Sequence, residues 1–118
     1  LTASGRSMLA LLPTIQFKAL YPNTKPITRR TEQGPETSKE LQELLAKESA
    51  QGFSVESGHV SEGLNTIAAA ATNHLNLPTA AFAVTFRTED ANDAVTAKLA
   101  KLVISASREL SKRLGATK

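Results

Sequence analysis

The sequence contains no cysteine and no tryptophan, and only one tyrosine, one methionine and two histidines. Without cysteine, a disulfide scaffold, a thiolate zinc site and a thiol nucleophile are all excluded. The same absence fits a cytoplasmic protein without requiring one. Aromatic residues make up 4% of the chain, so a core has to be assembled from Leu, Val, Ile and Ala. No apolar run approaches the roughly 20 residues that a membrane-spanning helix needs, and no signal peptide is visible. The chain opens on a helix-like segment without an initiator Met, which reads as a piece of a longer protein.

What is present suits one modest domain. The 118 residues are 41% hydrophobic and 21% charged, with a net charge of +3. Both signs are interspersed, and only the last stretch, with Arg108, Lys112, Arg113 and Lys118, leans positive. Cations there meet the negative end of a helix dipole, and they lack the one-face density of a nucleic-acid patch.

Local signals order the chain. Residues 2–12 read as a short helix capped by Thr2 or Ser4 and stopped by Pro13. A second short helix is expected over 14–20, then loop over 21–36 with a strand near Ile27 to Arg30. Thr37-Ser38-Lys39-Glu40 is a capping box that opens a helix over 38–51, ended by Gly52. Glu48 falls on that helix's apolar stripe, which is a local inconsistency. Residues 53–56 alternate as a strand. The Ala-rich run 66–72 is ambiguous by periodicity; the turn-like Asn73 to Pro78 and the strand-like Thr79 to Phe86 favour a hairpin. In the second strand Phe82, Val84 and Phe86 share one face, while Ala81, Ala83 and Thr85 share the other. The bulky face should pack on a helix. The small face either admits another element closely or lines a cavity. Acidic residues open a last helix over 91–114 that should cover the sheet. The sum is an α+β domain with helices on a thin antiparallel sheet, to which strands missing on the N-terminal side would add.

Several segments resemble the C-terminal sensor domain of IclR-type bacterial transcription regulators. Thr2-Ala3-Ser4-Gly5-Arg6-Ser7-Met8-Leu9-Ala10 is similar to the segment that opens that domain's main helix. Gly52 to Glu56, followed by Glu62-Gly63-Leu64-Asn65-Thr66-Ile67-Ala68-Ala69, is similar to the family's Gly-aromatic strand, acidic loop and Ile-Ala-Ala strand. Ala80 to Thr85 and the basic-ended last helix match the remainder, so the spacing agrees along nearly the whole chain. The resemblance implies a GAF-like fold. It also implies that a winged helix-turn-helix domain and the first part of the sensor domain lie outside this chain. The partners it implies are a small-molecule effector, further copies of the chain in a dimer or tetramer, and DNA only through that other domain.

The resemblance also implies an effector site for a small organic acid or aromatic catabolite. Ala3 and Ser4, at the start of the first helix, offer backbone N–H groups to a carboxylate; an ordinary capped helix start is the alternative. Glu56 matches a position usually held by Asp in the effector site, where it accepts from a ligand hydroxyl or orients a neighbour; alternatively it is a solvated strand-end acid. Thr66 matches a small polar pocket position, or is simply a β-favouring residue. Ala83 and Thr85 match two positions where a subgroup places hydroxyls, and Ala83 departs from that pattern. His59 and His74 have no metal-ligand partner spacing and read as surface residues. No cofactor is implied. With no Ser-His-Asp spacing, shared-setting carboxylate pair or Gly-rich phosphate loop, the chain does not read as an enzyme. A GAF-like interaction module without a ligand is the alternative function.

Overall fold

The computed structural model describes residues 2–12, 14–22, 34–58 and 61–117. The expected strand near Ile27 to Arg30, and His59, lie outside the described residues. The element order is α1 (Ala3–Leu9), α2 (Thr14–Leu20), α3 (Ser38–Gln51), β1 (Ser54–Ser57), β2 (Leu64–Thr72), β3 (Pro78–Arg87) and α4 (Asp93–Arg113). A 3-10 turn, Thr88–Asp90, joins β3 to α4. This is an α+β domain in which an antiparallel sheet of order β1-β2-β3 lies between α4 on one face and α1 on the other.

The helix ends follow from side-chain chemistry. Thr2 Oγ1 accepts the Gly5 N–H at 3.0 Å and caps α1. Thr37 Oγ1 accepts the Glu40 N–H at 3.1 Å and donates to Glu40 Oε1 at 3.3 Å. The carboxylate of the capping box therefore takes the hydroxyl proton. Gly52 ends α3 in the left-handed region, at φ 89°. α4 is capped by Asn92, whose Oδ1 accepts the Val95 N–H at 2.9 Å. Of the acidic residues that precede it, Glu89 and Asp90 pair with Arg87, each at 2.9 Å, and brace the turn instead.

The Ala-rich run is the central strand. In β2 the side chains of Ile67 and Ala69 face α4, where they meet the buried Ala100 and Val103, with Val55, Val84 and Phe86 packed around them. The bulky face of β3 packs on α4 as its alternation requires, except at Phe82, which is 40% exposed. The other face of β2 carries Thr66, Ala68 and Ala70. Ala68 is 0% exposed, because α1 lies across this face and a methyl group is what the close approach admits. A second apolar cluster joins Phe17 of α2 to Leu41 and Leu45 of α3. Phe17 and Tyr21 stack at 5.5 Å, and Ser38 Oγ donates to the Tyr21 carbonyl at 2.8 Å.

The hairpin loop is built by one asparagine. Asn73 Oδ1 accepts the N–H groups of Leu75 and Leu77 at 2.9 and 3.2 Å, and Asn76 takes φ 59°. His74 is exposed there.

Small size at Ala68 is testable. Ala68→Leu should cost about 1–3 kcal/mol by overpacking beneath α1, whereas Ala97→Leu on the outer face of α4 should change stability by less than about 0.5 kcal/mol. Urea unfolding of both variants measures this, and equal midpoints would refute the packing account.

Candidate functional site

The register of the sheet aligns a polar row. Glu56 pairs with Thr66, and Thr66 with Thr85, so the three side chains cross β1, β2 and β3 on the face that α1 covers. At about 4.8 Å between strands, the row is roughly 10 Å long. The next row on the same face is Ser54, Ala68 and Ala83. The Thr66 and Thr85 hydroxyls bond each other at 2.9 Å. The first turn of α1 overhangs both rows and leaves a cavity of about 280 Å³.

The six residues singled out from the sequence, Ala3, Ser4, Glu56, Thr66, Ala83 and Thr85, all line this cavity. Thr2, Ser61 and Leu64 complete the described wall. Ala3 and Glu56 are buried, while Ala83 and Thr85 are exposed, so the cavity opens toward β3. Ala83 and Thr85 of the small face of β3 thus line a cavity, while α1 also lies against β3, so both roles its alternation left open are filled. Among the described residues no cluster of three or more His, Cys, Asp or Glu is placed to hold a metal ion.

Behind the cavity lies a charged group that the sequence reading passed over. Arg6 of α1 is 0% exposed, and Glu48 and Glu56 are each 3% exposed. The Arg6 Nη2 donates to the Val55 carbonyl and lies 3.3 Å from Glu48 Oε2. The same Glu48 oxygen accepts the Val55 N–H at 2.9 Å. Burial lowers the Arg6 pKa from the ordinary guanidinium range, and the charges of Glu48 and then Glu56 pull it back up. Glu48 is therefore no flaw in the apolar stripe of α3, because it is the counter-charge of a buried arginine. The signal was present in the sequence as two misfits, a basic residue inside α1 and an acid inside the stripe of α3. Only the fold brings them together. On the cavity side, the Ser54 hydroxyl is buried without a hydrogen-bond partner.

The family described as bacterial transcriptional regulator IclR, C-terminal, matches residues 1–112. The chain belongs to that family. Membership makes it a domain of a transcriptional regulator and not an enzyme, with the GAF-like fold of its relatives. Among solved structures, the Agobacterium tumefaciens repressor BlcR is 26% identical over 99% of this chain and 46% of its own, with a TM-score of 0.88. The C-terminal domain of Escherichia coli KdgR is 22% identical over 97% of this chain and 69% of its own, at 0.87. The inducer-binding domain of PobR from Acinetobacter, a double mutant in complex with 3-hydroxybenzoic acid, is 18% identical over 93% of this chain and 63% of its own, at 0.75. The chain spans about half the length of BlcR. No curated protein matches it. No helix among the described residues is long and apolar enough to cross a membrane.

Two stability measurements test the charged group. Arg6→Met should cost about 3–5 kcal/mol, because it strands buried carboxylates. The Arg6→Met/Glu48→Leu double variant should cost less than the sum of the single changes, though Glu56 keeps it below wild type. Strict additivity in a urea double-mutant cycle would refute the pairing. Ser54→Ala, which removes an unpartnered hydroxyl, should raise stability by about 1 kcal/mol. A loss would mean that the hydroxyl is satisfied in solution.

Proposed function

We propose that this chain is the effector-sensing module of a DNA-binding transcription regulator, and that the cavity between α1 and the Glu56–Thr66–Thr85 row receives a small organic acid or aromatic catabolite. The observation that carries the reading is convergence. Six residues drawn from four separate elements, α1, β1, β2 and β3, line one cavity. At about 280 Å³ the cavity lies near the lower end of small-molecule pockets, roughly 300–1,000 Å³, which suits a small metabolite. The PobR domain, of the same fold, was solved with 3-hydroxybenzoic acid, a molecule of that size.

The regulation proposed is a population shift. The ligand binds one arrangement of a homodimer or tetramer better than another and so changes the spacing of paired DNA-binding domains. Contacts to DNA belong to another domain of the intact cytoplasmic protein, so residues 1–118 alone should give no sequence-specific shift of DNA in a gel. The alternative is a GAF-like interaction module without a ligand. It draws on the exposure of Ala83 and Thr85 at the cavity mouth and on the hydroxyl that Ala83 lacks.

Thermal unfolding of the intact protein against a panel of small carboxylates and aromatic acids separates the two. A ligand that binds only the folded state adds about 2.7 kcal/mol at a hundredfold excess over its Kd. The expected result is a saturable rise in Tm that Thr85→Val or Glu56→Ala removes. A flat response across the panel, with self-association intact, would favour the interaction module.

A further inference from the structure

We infer that this domain has a second ligand site, separate from the cavity at the start of α1, and that it takes a small phosphorylated metabolite. The site is a cavity of about 700 Å³ near the other end of α1, a volume typical of small-molecule pockets, roughly 300–1,000 Å³. Ala70 and Thr72 line it from the end of β2, and Leu11 lines it from just past α1. Arg108, Ser111 and Lys112 line it from the flank of α4.

The charge of the wall is the first ground. Its described part carries two cations, Arg108 and Lys112, and no acid. The two lie one helical turn apart on α4, close enough to reach a single bound group. Glu109, beside Arg108 in the helix, is paired with Arg113 at 3.1 Å. Among the described residues, Arg108 and Lys112 have no ion-pair partner. Lys101, in the adjoining groove that shares both cations, adds positive charge nearby. The end of a helix repels an anion placed on its axis. Here the cavity meets α4 side-on. The carbonyls of Leu110, Ser111 and Lys112 are already taken by the N–H groups of Leu114, Ala116 and Gly115.

The second ground is a set of donors held in place. Ser111 Oγ accepts the Thr72 N–H at 2.9 Å, which fixes the hydroxyl against the strand and leaves its proton for a ligand. Asn76 of the hairpin loop and Thr117 also line the cavity. Asn76 Nδ2 donates to Thr117 Oγ1 at 3.1 Å, and the Thr117 N–H donates to Asn76 Oδ1 at 3.3 Å, so the chain after α4 is tied to the hairpin. Gly115 makes that return at φ 88°, where a Cβ would come within 3.2 Å of the His74 Cβ. The guanidinium fork of Arg108 would by itself satisfy a carboxylate. A phosphate monoester brings three acceptor oxygens and about two negative charges, so it uses Arg108, Lys112 and Ser111 together. The remaining space along Ala70 and Thr72 suits a short hydroxylated body.

Calorimetric titration of the intact protein with glucose 6-phosphate, glycerol 3-phosphate and 3-phosphoglycerate, beside glucose, glycerol and glycerate, tests this. At least one ester should bind saturably, and its unphosphorylated partner should bind at least about tenfold more weakly, the loss expected when charge-assisted hydrogen bonds are removed. Arg108→Gln and Lys112→Gln sit at exposed helix positions where glutamine is a good helix former, and each should weaken that ester about tenfold. Lys98→Gln removes the same charge from α4 at about 21 Å from Lys112 along the helix, beyond the roughly 8 Å Debye length, and should change the affinity less than about twofold. Thr85→Val, in the other cavity, should leave it unchanged. If no ester binds, the inference is overturned, whatever ligand the first cavity takes. Equal losses in Lys98→Gln and Lys112→Gln would overturn it as well, by showing attraction to net charge alone. An ester lost in Thr85→Val and kept in Lys112→Gln would assign it to the other cavity and also overturn the inference.

Discussion

Three elements of this domain meet at one peptide. The backbone N–H of Val55 donates to Glu48 of α3 and its carbonyl accepts from Arg6 of α1, while the two side chains face each other as an ion pair. β1 is the outer strand of its sheet, and an outer strand leaves backbone groups unpaired. Here those groups are taken by a buried charge pair that also fixes where α1 lies over the sheet and where α3 abuts it. An apolar pair of the same volume would fill the space equally well. It would leave the Val55 peptide groups without partners.

The position of α1 decides the rest of that face. Alanine at 68 lets the helix come close, and the first turn of α1 then projects past the packed region over the Glu56–Thr66–Thr85 row. The cavity is what remains where the helix begins and the row carries polar side chains. The opposite face shows the contrast. There Ile67, Val84 and Phe86 fill the space under α4 with larger groups, and the described residues leave a packed core. One alternating strand thus supplies a packed face and a hollow one.

The charges follow the same division. α4 keeps its cations outward, with Arg113 paired to Glu109 in solvent at 3.1 Å, a contact of small energetic consequence. The charges that matter to the architecture are the few taken out of water, Arg6, Glu48 and Glu56. The third of these lies on the cavity wall and acts on the charge of Arg6, which links that wall electrostatically to the packing of α1 against α3.

Much of this was legible in the chain alone. Capping chemistry at Thr2 and Thr37, the glycine at 52 and the alternation of 79–86 are local properties, set by backbone hydrogen bonding and side-chain period, and they place the elements to within a residue or two, except that α1 ends at Leu9, three residues short of the expected 12. β2 begins two residues before the expected 66, because the ladder with β3 carries on to Leu64. The family resemblance carried by the ordered set of motifs marked six of the nine described residues that line the cavity. What one dimension cannot hold is the meeting of Arg6 with Glu48, 42 positions apart. Each looks like a misfit in its own helix, because the periodicity of a helix reports which face is buried and not what that face will meet. The depth of the cavity and its opening toward β3 are likewise products of packing, because they depend on which side chains are removed from water together.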